Sequence, residues 1–129
     1  MVVYVDTSVA LAHVLAEDRR PPESLWQETL ITSRLTHYEA WNRAHARNLD
    51  EPHGAALGAL LDRIAVVELT PAALERALRP FPRPVRTLDA LHLASIEFLR
   101  EQGLVVHLAS YDDRMLVTAR LLGIAIAEL

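Results

Sequence analysis

The chain contains no cysteine and no lysine; all 13 of its basic residues are arginine. Without cysteine there is no disulfide scaffold, no thiolate metal site and no thiol nucleophile. Without lysine, Schiff-base chemistry, the phosphate-binding lysine of a P-loop and the lysine that assists aspartyl phosphorylation all fall away. The G-x-x-x-x-G-K-[ST] pattern is accordingly absent. No apolar run approaches the roughly 20 residues that span a bilayer. The opening MVVYVDTS has no basic segment and soon meets Asp6, so a signal peptide is not expected and the default compartment is the cytoplasm, with no membrane contact. A net charge of −4 argues against a broadly basic nucleic-acid surface. It leaves room for a local arginine patch, or for a site where metal ions stand between protein carboxylates and phosphate.

What is present is ordinary globular chemistry. The 129 residues read as one domain, residues 1–129, long enough to bury a sizeable core. Val2–Val5 is a short β-branched and aromatic run bounded by Asp6, Thr7 and Ser8, a strand leading into a capped helix start. Val9, Leu11, Ala12, Val14, Leu15 and Ala16 give a largely apolar helix, and Pro22 to Gln27 a short second one. Leu30–Ser33 reads as a strand, Thr36–Asn48 as a helix, and Pro52 suits the first turn of the next helix, through Leu61. Ala65–Leu69 is a third strand, followed by a short helix capped by Thr70. The stretch RPFPRPVR, Arg79 to Arg86, has too many prolines for helix or sheet. Thr87 then caps a long helix to about Glu101, ended by Gly103. A strand at Val105–Ala109, a helix over Asp112–Leu122 closed by Gly123, and a short strand Ile124–Ile126 complete the chain. Short apolar strands separated by helices indicate a parallel sheet covered on both faces. Ligands in such folds collect at the carboxyl ends of the strands.

Four acids fall at or near those ends: Asp6 after strand one, Glu39 in the helix after strand two, Asp89 in the first turn of the long helix, and Asp112 just beyond strand four. Any one of them could simply complement a helix dipole. Together, embedded in VVYVDTSVAL, LTHYEAW and TLDALHLA, they point to one rim. Two carboxylates about 5 Å apart repel by roughly 3 kcal/mol at an effective dielectric near 20, so a cluster of four calls for a cation. Hard oxygen donors without cysteine favour Mg²⁺ or Mn²⁺. Such a site activates water and steadies charge in phosphodiester hydrolysis, with a spare carboxylate orienting the water.

The sequence resembles the PIN domain family, in particular the VapC-type toxin ribonucleases of type II toxin–antitoxin pairs. The likeness runs along nearly the whole chain. Asp6-Thr7-Ser8 resembles the family's first acid with its hydroxyl partner; Ser33 to Glu39 (SRLTHYE) the segment of the second acid; Thr87 to Ala94 (TLDALHLA) the most specific segment; and Ser110 to Met115 (SYDDRM) the fourth. The resemblance implies a three-layer α/β/α PIN-like fold, with a central, mostly parallel sheet of four to five short strands and helices on both faces. It also implies a Mg²⁺-dependent endoribonuclease, with Mn²⁺ able to substitute. Asp6 and Asp89 would be direct metal ligands, and Glu39 and Asp112 would complete the shell. Thr7 or Ser8 would bond a metal-bound water or a carboxylate, and Ser110 leaves a hydroxyl available. Asp112, directly after the aromatic, fits the family pattern better than Asp113. The implied partners are an RNA substrate, a VapB-like antitoxin, a second copy in a homodimer, and operator DNA reached only through the antitoxin.

Other residues carry open readings. Arg79, Arg83 and Arg86 on the proline-stiffened loop either grip RNA phosphates or merely solvate the chain. His37 and His92 lie near Glu39 and Asp89; packing or an imidazole hydrogen bond explains such positions more often than metal ligation. Trp26 and Trp41 read as core aromatics, with Leu25, Trp26 and the first helix as the alternative surface for an antitoxin segment. A receiver domain or a haloacid-dehalogenase-like phosphatase is disfavoured by the missing lysine, the latter also by Ser8 where a second acid is needed. The competing reading is a PIN module without an antitoxin, either a housekeeping nuclease or a non-catalytic binding domain.

Overall fold

The computed structural model describes residues 1–15 and 18–129; Ala16, read above as part of the first helix, lies outside them. Five strands form one parallel sheet among the described residues: β1 (Val2–Val5), β2 (Thr29–Ser33), β3 (Ala65–Val67), β4 (Val106–Ala109) and β5 (Ala125–Ile126), in the order β3-β2-β1-β4-β5. The helices among the described residues are α1 (Thr7–Val14), α2 (Arg34–Ala46), α3 (Asp50–Asp62), α4 (Pro71–Ala77), α5 (Thr87–Glu101) and α6 (Asp113–Leu121), with a 3₁₀ segment at Glu23–Gln27. The pleat sends alternate β1 residues to opposite faces. Val3 and Val5 pack with Val9, Ala10, Leu60 and Ile64 from α1 and the α3 region. Tyr4 packs on the other side with Leu93, Ile96 and Leu99 of α5 and Met115 of α6. Those two cores make the expected three layers.

Strand order reverses beside β1. The chain runs from β1 outward to β2 and β3, then returns to place β4 on the other side. The crevice at such a switch point, beyond the carboxyl ends of the strands, is where open α/β sheets bind ligands. Here it lies between the ends of β1 and β4, where the Asp6 amide donates to the Ala109 carbonyl at 3.2 Å.

Several boundaries differ from the sequence reading. α2 begins at Arg34 rather than Thr36, because Ser33 caps it at once by accepting from the Leu35 amide. It ends at Ala46, and Asn48 takes a positive φ of 55°. α5 is entered from Arg86, which occupies the cap position without a side-chain hydrogen bond; Thr87 is already helical and caps nothing. β3 stops at Val67, since Glu68 turns outward to pair with Arg34. β4 starts one residue late because its pairing with β1 begins at Val106, opposite Val2, and Val105 is left exposed. Gly103 and Gly123 end α5 and α6 as anticipated, with φ of 90° and 76°. Trp26 is core, with His13 packed 4.5 Å from it ring to ring. Leu25 and α1 residues Val9 to Ala12 are buried with it. The antitoxin surface suggested there is therefore spent on the protein's own interior.

Near the rim the sheet is tied by a buried hydroxyl pair. Thr32 is fully buried; its hydroxyl donates to the Val5 carbonyl at 2.6 Å and shares a 2.7 Å hydrogen bond with Thr36. Thr32→Val keeps the shape but strands the Thr36 hydroxyl. Its urea midpoint should fall by the equivalent of about 1–3 kcal/mol. A wild-type midpoint would show that the pair carries no weight.

Candidate active site

The first strand delivers Asp6 to the rim, and the next residues hold it there. Asp6 is 4% exposed, yet each of its oxygens has a donor. Oδ1 accepts from the Ser8 hydroxyl at 2.6 Å and from the Val9 amide at 3.2 Å, the latter capping α1. Oδ2 accepts from the Ser110 hydroxyl at 2.5 Å. Ser110 in turn accepts from the Asp112 amide at 2.9 Å, and Ser8 from the Tyr111 amide at 3.0 Å. The loop after β4 is thus laced to the loop after β1. Burial pushes the Asp6 carboxyl above its ordinary range, and the Ser110 and Ser8 hydroxyls, the His92 ring and the Val9 amide oppose that shift.

Glu39 projects from α2, the sixth residue of that helix. Its Oε1 accepts from Thr7 Oγ1 at 3.1 Å and meets His92 Nε2 at 2.5 Å; Oε2 faces the exposed Arg43 at 3.7 Å. Burial works to raise the Glu39 carboxyl, but the His92, Thr7 and Arg43 contacts outweigh it and hold it below the usual range. Thr7 and Ser8 therefore each bond a carboxylate, one of the two roles the sequence left open. Asp112 caps α6, accepting at Oδ1 from the Arg114 and Met115 amides at 3.0 and 3.3 Å. Asp113 is exposed in the first turn, in keeping with its neighbour being the inward acid.

Asp89 stands in the first turn of α5, part-buried, with no hydrogen bond to its carboxylate among the described residues. Burial and then the Asp112 charge push its carboxyl up; His92 opposes, Glu39 adds to the rise, and Arg86 opposes. Asp112 and Glu39 therefore both load charge on Asp89, and His92 acts on Asp6, Glu39 and Asp89. Those interactions link the four sequence-predicted acids through Asp89 and His92. Among the described residues, though, no three His, Asp or Glu side chains stand close enough together to hold an ion as they are. The donor chemistry nonetheless fits a hard divalent cation: every acid offers oxygen, and Asp89 gains from any positive charge placed beside Asp112 and Glu39.

The proline loop has a shape of its own. Phe81 and Val85 pack onto the core beneath α5, and Arg76 lies 4.1 Å over the Phe81 ring while pairing with Glu97 at 3.3 Å. Arg79, Arg83 and Arg86 are left exposed. Of the three, Arg86 reaches the acids electrostatically, through Asp89. Arg83 borders a hollow of about 360 Å³ shared with Asp113 and Arg114 at the start of α6.

Sequence reasoning missed Tyr4 and gave His92 no defined task. His92 is buried, with Nδ1 2.6 Å from the Tyr4 hydroxyl and Nε2 on Glu39. A signal existed: Tyr4 is the one hydroxyl-bearing residue of an otherwise aliphatic strand, and it shares Asp6's side of the pleat. His37 is not part of this cluster; its Nδ1 is buried without a partner among the described residues.

A family model described as PIN domain matches residues 3–121. The chain belongs to the PIN domain family. No curated protein sequence matches it. Among solved structures, this PIN domain is similar to Mycobacterium tuberculosis VapC20, described as a sarcin-ricin loop cleaving toxin. The TM-score is 0.67 at 23% identity, covering 89% of this chain and 93% of that one. It is also similar to VapBC-1 from nontypeable Haemophilus influenzae, with a TM-score of 0.67 at 16% identity over 99% and 98% of the two chains. At these identities the likeness is one of fold. No helix among the described residues is long and apolar enough to cross a membrane.

Because Asp89 is charged against its surroundings, removing that charge should stabilise this PIN domain when no metal is present. A raised folded-state carboxyl means that the native state resists ionisation, so the cost is present at neutral pH and disappears as pH falls below the raised value. Asp89→Asn should therefore raise the urea midpoint in EDTA at pH 7. The gain should shrink on acidification toward the ordinary aspartate range. A midpoint below wild type at pH 7 would contradict the electrostatic reading.

Proposed function

We propose that this PIN domain is a Mg²⁺-dependent endoribonuclease, with Mn²⁺ able to replace Mg²⁺, and acts as the toxin of a VapBC-type toxin–antitoxin pair. The observation that carries this reading is the charge loading on Asp89 by Asp112 and Glu39 at the carboxyl rim of a PIN fold. A pocket of mutually repelling acids suits an anionic phosphodiester once a divalent cation stands between them. When bound, such an ion polarises the scissile phosphate and activates water for in-line attack.

The chain's own residues do the rest. Asp6 and Asp89 would hold the cation, with Asp112 and Glu39 completing its surroundings. Ser8 and Ser110 keep Asp6 aimed while sparing it the full cost of burial. Thr7 fixes one oxygen of Glu39, and the other, facing only the exposed Arg43, would orient a water or take its proton. Arg79, Arg83 and Arg86 lie on a loop that its own prolines and the Phe81 and Val85 anchors stiffen, and would position RNA phosphates without reading sequence. The fold likeness to VapC20 and VapBC-1 supports the toxin assignment and a VapB-like antitoxin as partner. A homodimer, and operator DNA reached through the antitoxin, belong to the same proposal, as does action in the cytoplasm.

Purified protein should cut RNA with Mg²⁺ or Mn²⁺ and stop in EDTA. Asp89→Asn should lose activity by about 100-fold or more while staying folded, on the scale of removing one group aimed at transition-state charge. Cleavage that continues unchanged in EDTA, or in Asp89→Asn, would refute the mechanism.

A further inference from the structure

Glu39 comes from α2, but what aims it comes from two other elements. His92, on α5 and three residues beyond Asp89, is 2% exposed and has a partner at each ring nitrogen: Tyr4 Oη 2.6 Å from Nδ1, and Glu39 Oε1 2.5 Å from Nε2. Tyr4 is fully buried on β1, two residues before Asp6, with its ring edge-on to the imidazole at 5.8 Å between centroids. Thr7 donates to the same Oε1 from the start of α1 at 3.1 Å. One oxygen of Glu39 is therefore filled twice from the protein interior. The other has only the exposed Arg43 at 3.7 Å, a partner that solvent or substrate can displace.

In a neutral imidazole, a hydroxyl that donates to the Nδ1 lone pair leaves the ring proton on Nε2, facing the carboxylate. We propose that His92 is a positioning residue: held by Tyr4 in the Nε2–H tautomer, it occupies Glu39 Oε1 and so presents Oε2 to the cation and the attacking water. A residue needed only for packing would be apolar here, since a buried imidazole has two nitrogens to satisfy. An acid on a helix face has several rotatable bonds, and fixing one oxygen before substrate arrives removes most of that freedom. The relay also explains the His in TLDALHLA: one helical turn carries Asp89 and the residue that aims Glu39 together.

This inference rests on Glu39 being a site acid, so the experiment reads the relay separately from RNA cleavage. Nitrogen-15 NMR of the full chain should show His92 protonated at Nε2, with Nδ1 an acceptor. Tyr4→Phe removes only the hydroxyl, and should mix the two tautomers and weaken Mn²⁺ binding measured by calorimetry without RNA. His92→Leu should weaken Mn²⁺ binding by about 10- to 100-fold, the usual scale for losing a group that orients a metal ligand. His92→Gln keeps an N–H donor toward Glu39, and should recover most of that loss. A ring protonated at Nδ1, or a folded His92→Leu that binds Mn²⁺ like wild type, would overturn the proposal. If His92→Leu fails to fold, wild-type tautomer and Mn²⁺ affinity in Tyr4→Phe overturn it equally. Wild-type protein that binds no Mn²⁺ would instead overturn the metal reading of the site, while the NMR result still judges the relay.

Discussion

Burying carboxylates is what the rest of this structure is arranged around. Asp6 sits almost out of solvent at the end of the central strand, and an ionised carboxylate there is costly unless its oxygens are bonded. The surrounding chain supplies those bonds from two places: Ser8 and the Val9 amide at the start of α1, and Ser110 after β4. The Ser110 donor is at the right distance because β1 and β4 are neighbours in register, with Val5 opposite Ala109. The sheet order is thus what makes a buried acid tolerable. Asp89 shows the opposite condition. It has burial and like charge against it and no hydrogen bond of its own among the described residues, so it is the member of the group with most to gain from a cation.

The division of labour follows from where each acid is rooted. Asp6 and Asp112 are fixed by caps at helix starts, where backbone amides face the carboxylate and the helix dipole favours negative charge. Glu39 sits further along its helix and is bonded by side chains from α1 and α5 instead, Thr7 and His92. The proline-rich loop leads directly into the turn that bears Asp89. Its apolar residues grip the core while its arginines stay outside, which sets positive charge beside an acidic pocket in a protein of negative net charge.

Much of this was legible in the sequence, and the failures have physical reasons. Asp6 could be found because a short β-branched strand followed by Asp-Thr-Ser has few other readings, and the positive-φ glycines closing α5 and α6 behave as their positions suggest. The parallel sheet followed from apolar runs alternating with helices. Contacts between residues far apart in the chain were not legible. That Ser110 spends its hydroxyl on Asp6, or that Tyr4 meets His92, depends on strand register and helix rotation, which composition does not carry. Thr87 looked like a cap because threonine often is one, yet the chain enters α5 one residue earlier. Trp26 reads as core and is core; the alternative antitoxin surface at Leu25 and Trp26 stays open in the sequence because an apolar pair carries no sign of which side it faces, and packing of the 3₁₀ segment onto β1 and α1 decides it.

Under the proposed function, a divalent cation completes the group of acids around Asp89. Thermal unfolding of the wild-type chain across a Mn²⁺ titration, with Asp89→Asn alongside, tests it without reference to any substrate. A ligand bound by the native state alone raises the midpoint with concentration. The wild-type midpoint should rise with Mn²⁺, and the variant's should stay nearly flat. Equal responses in the two proteins, or no response in either, would contradict this reading.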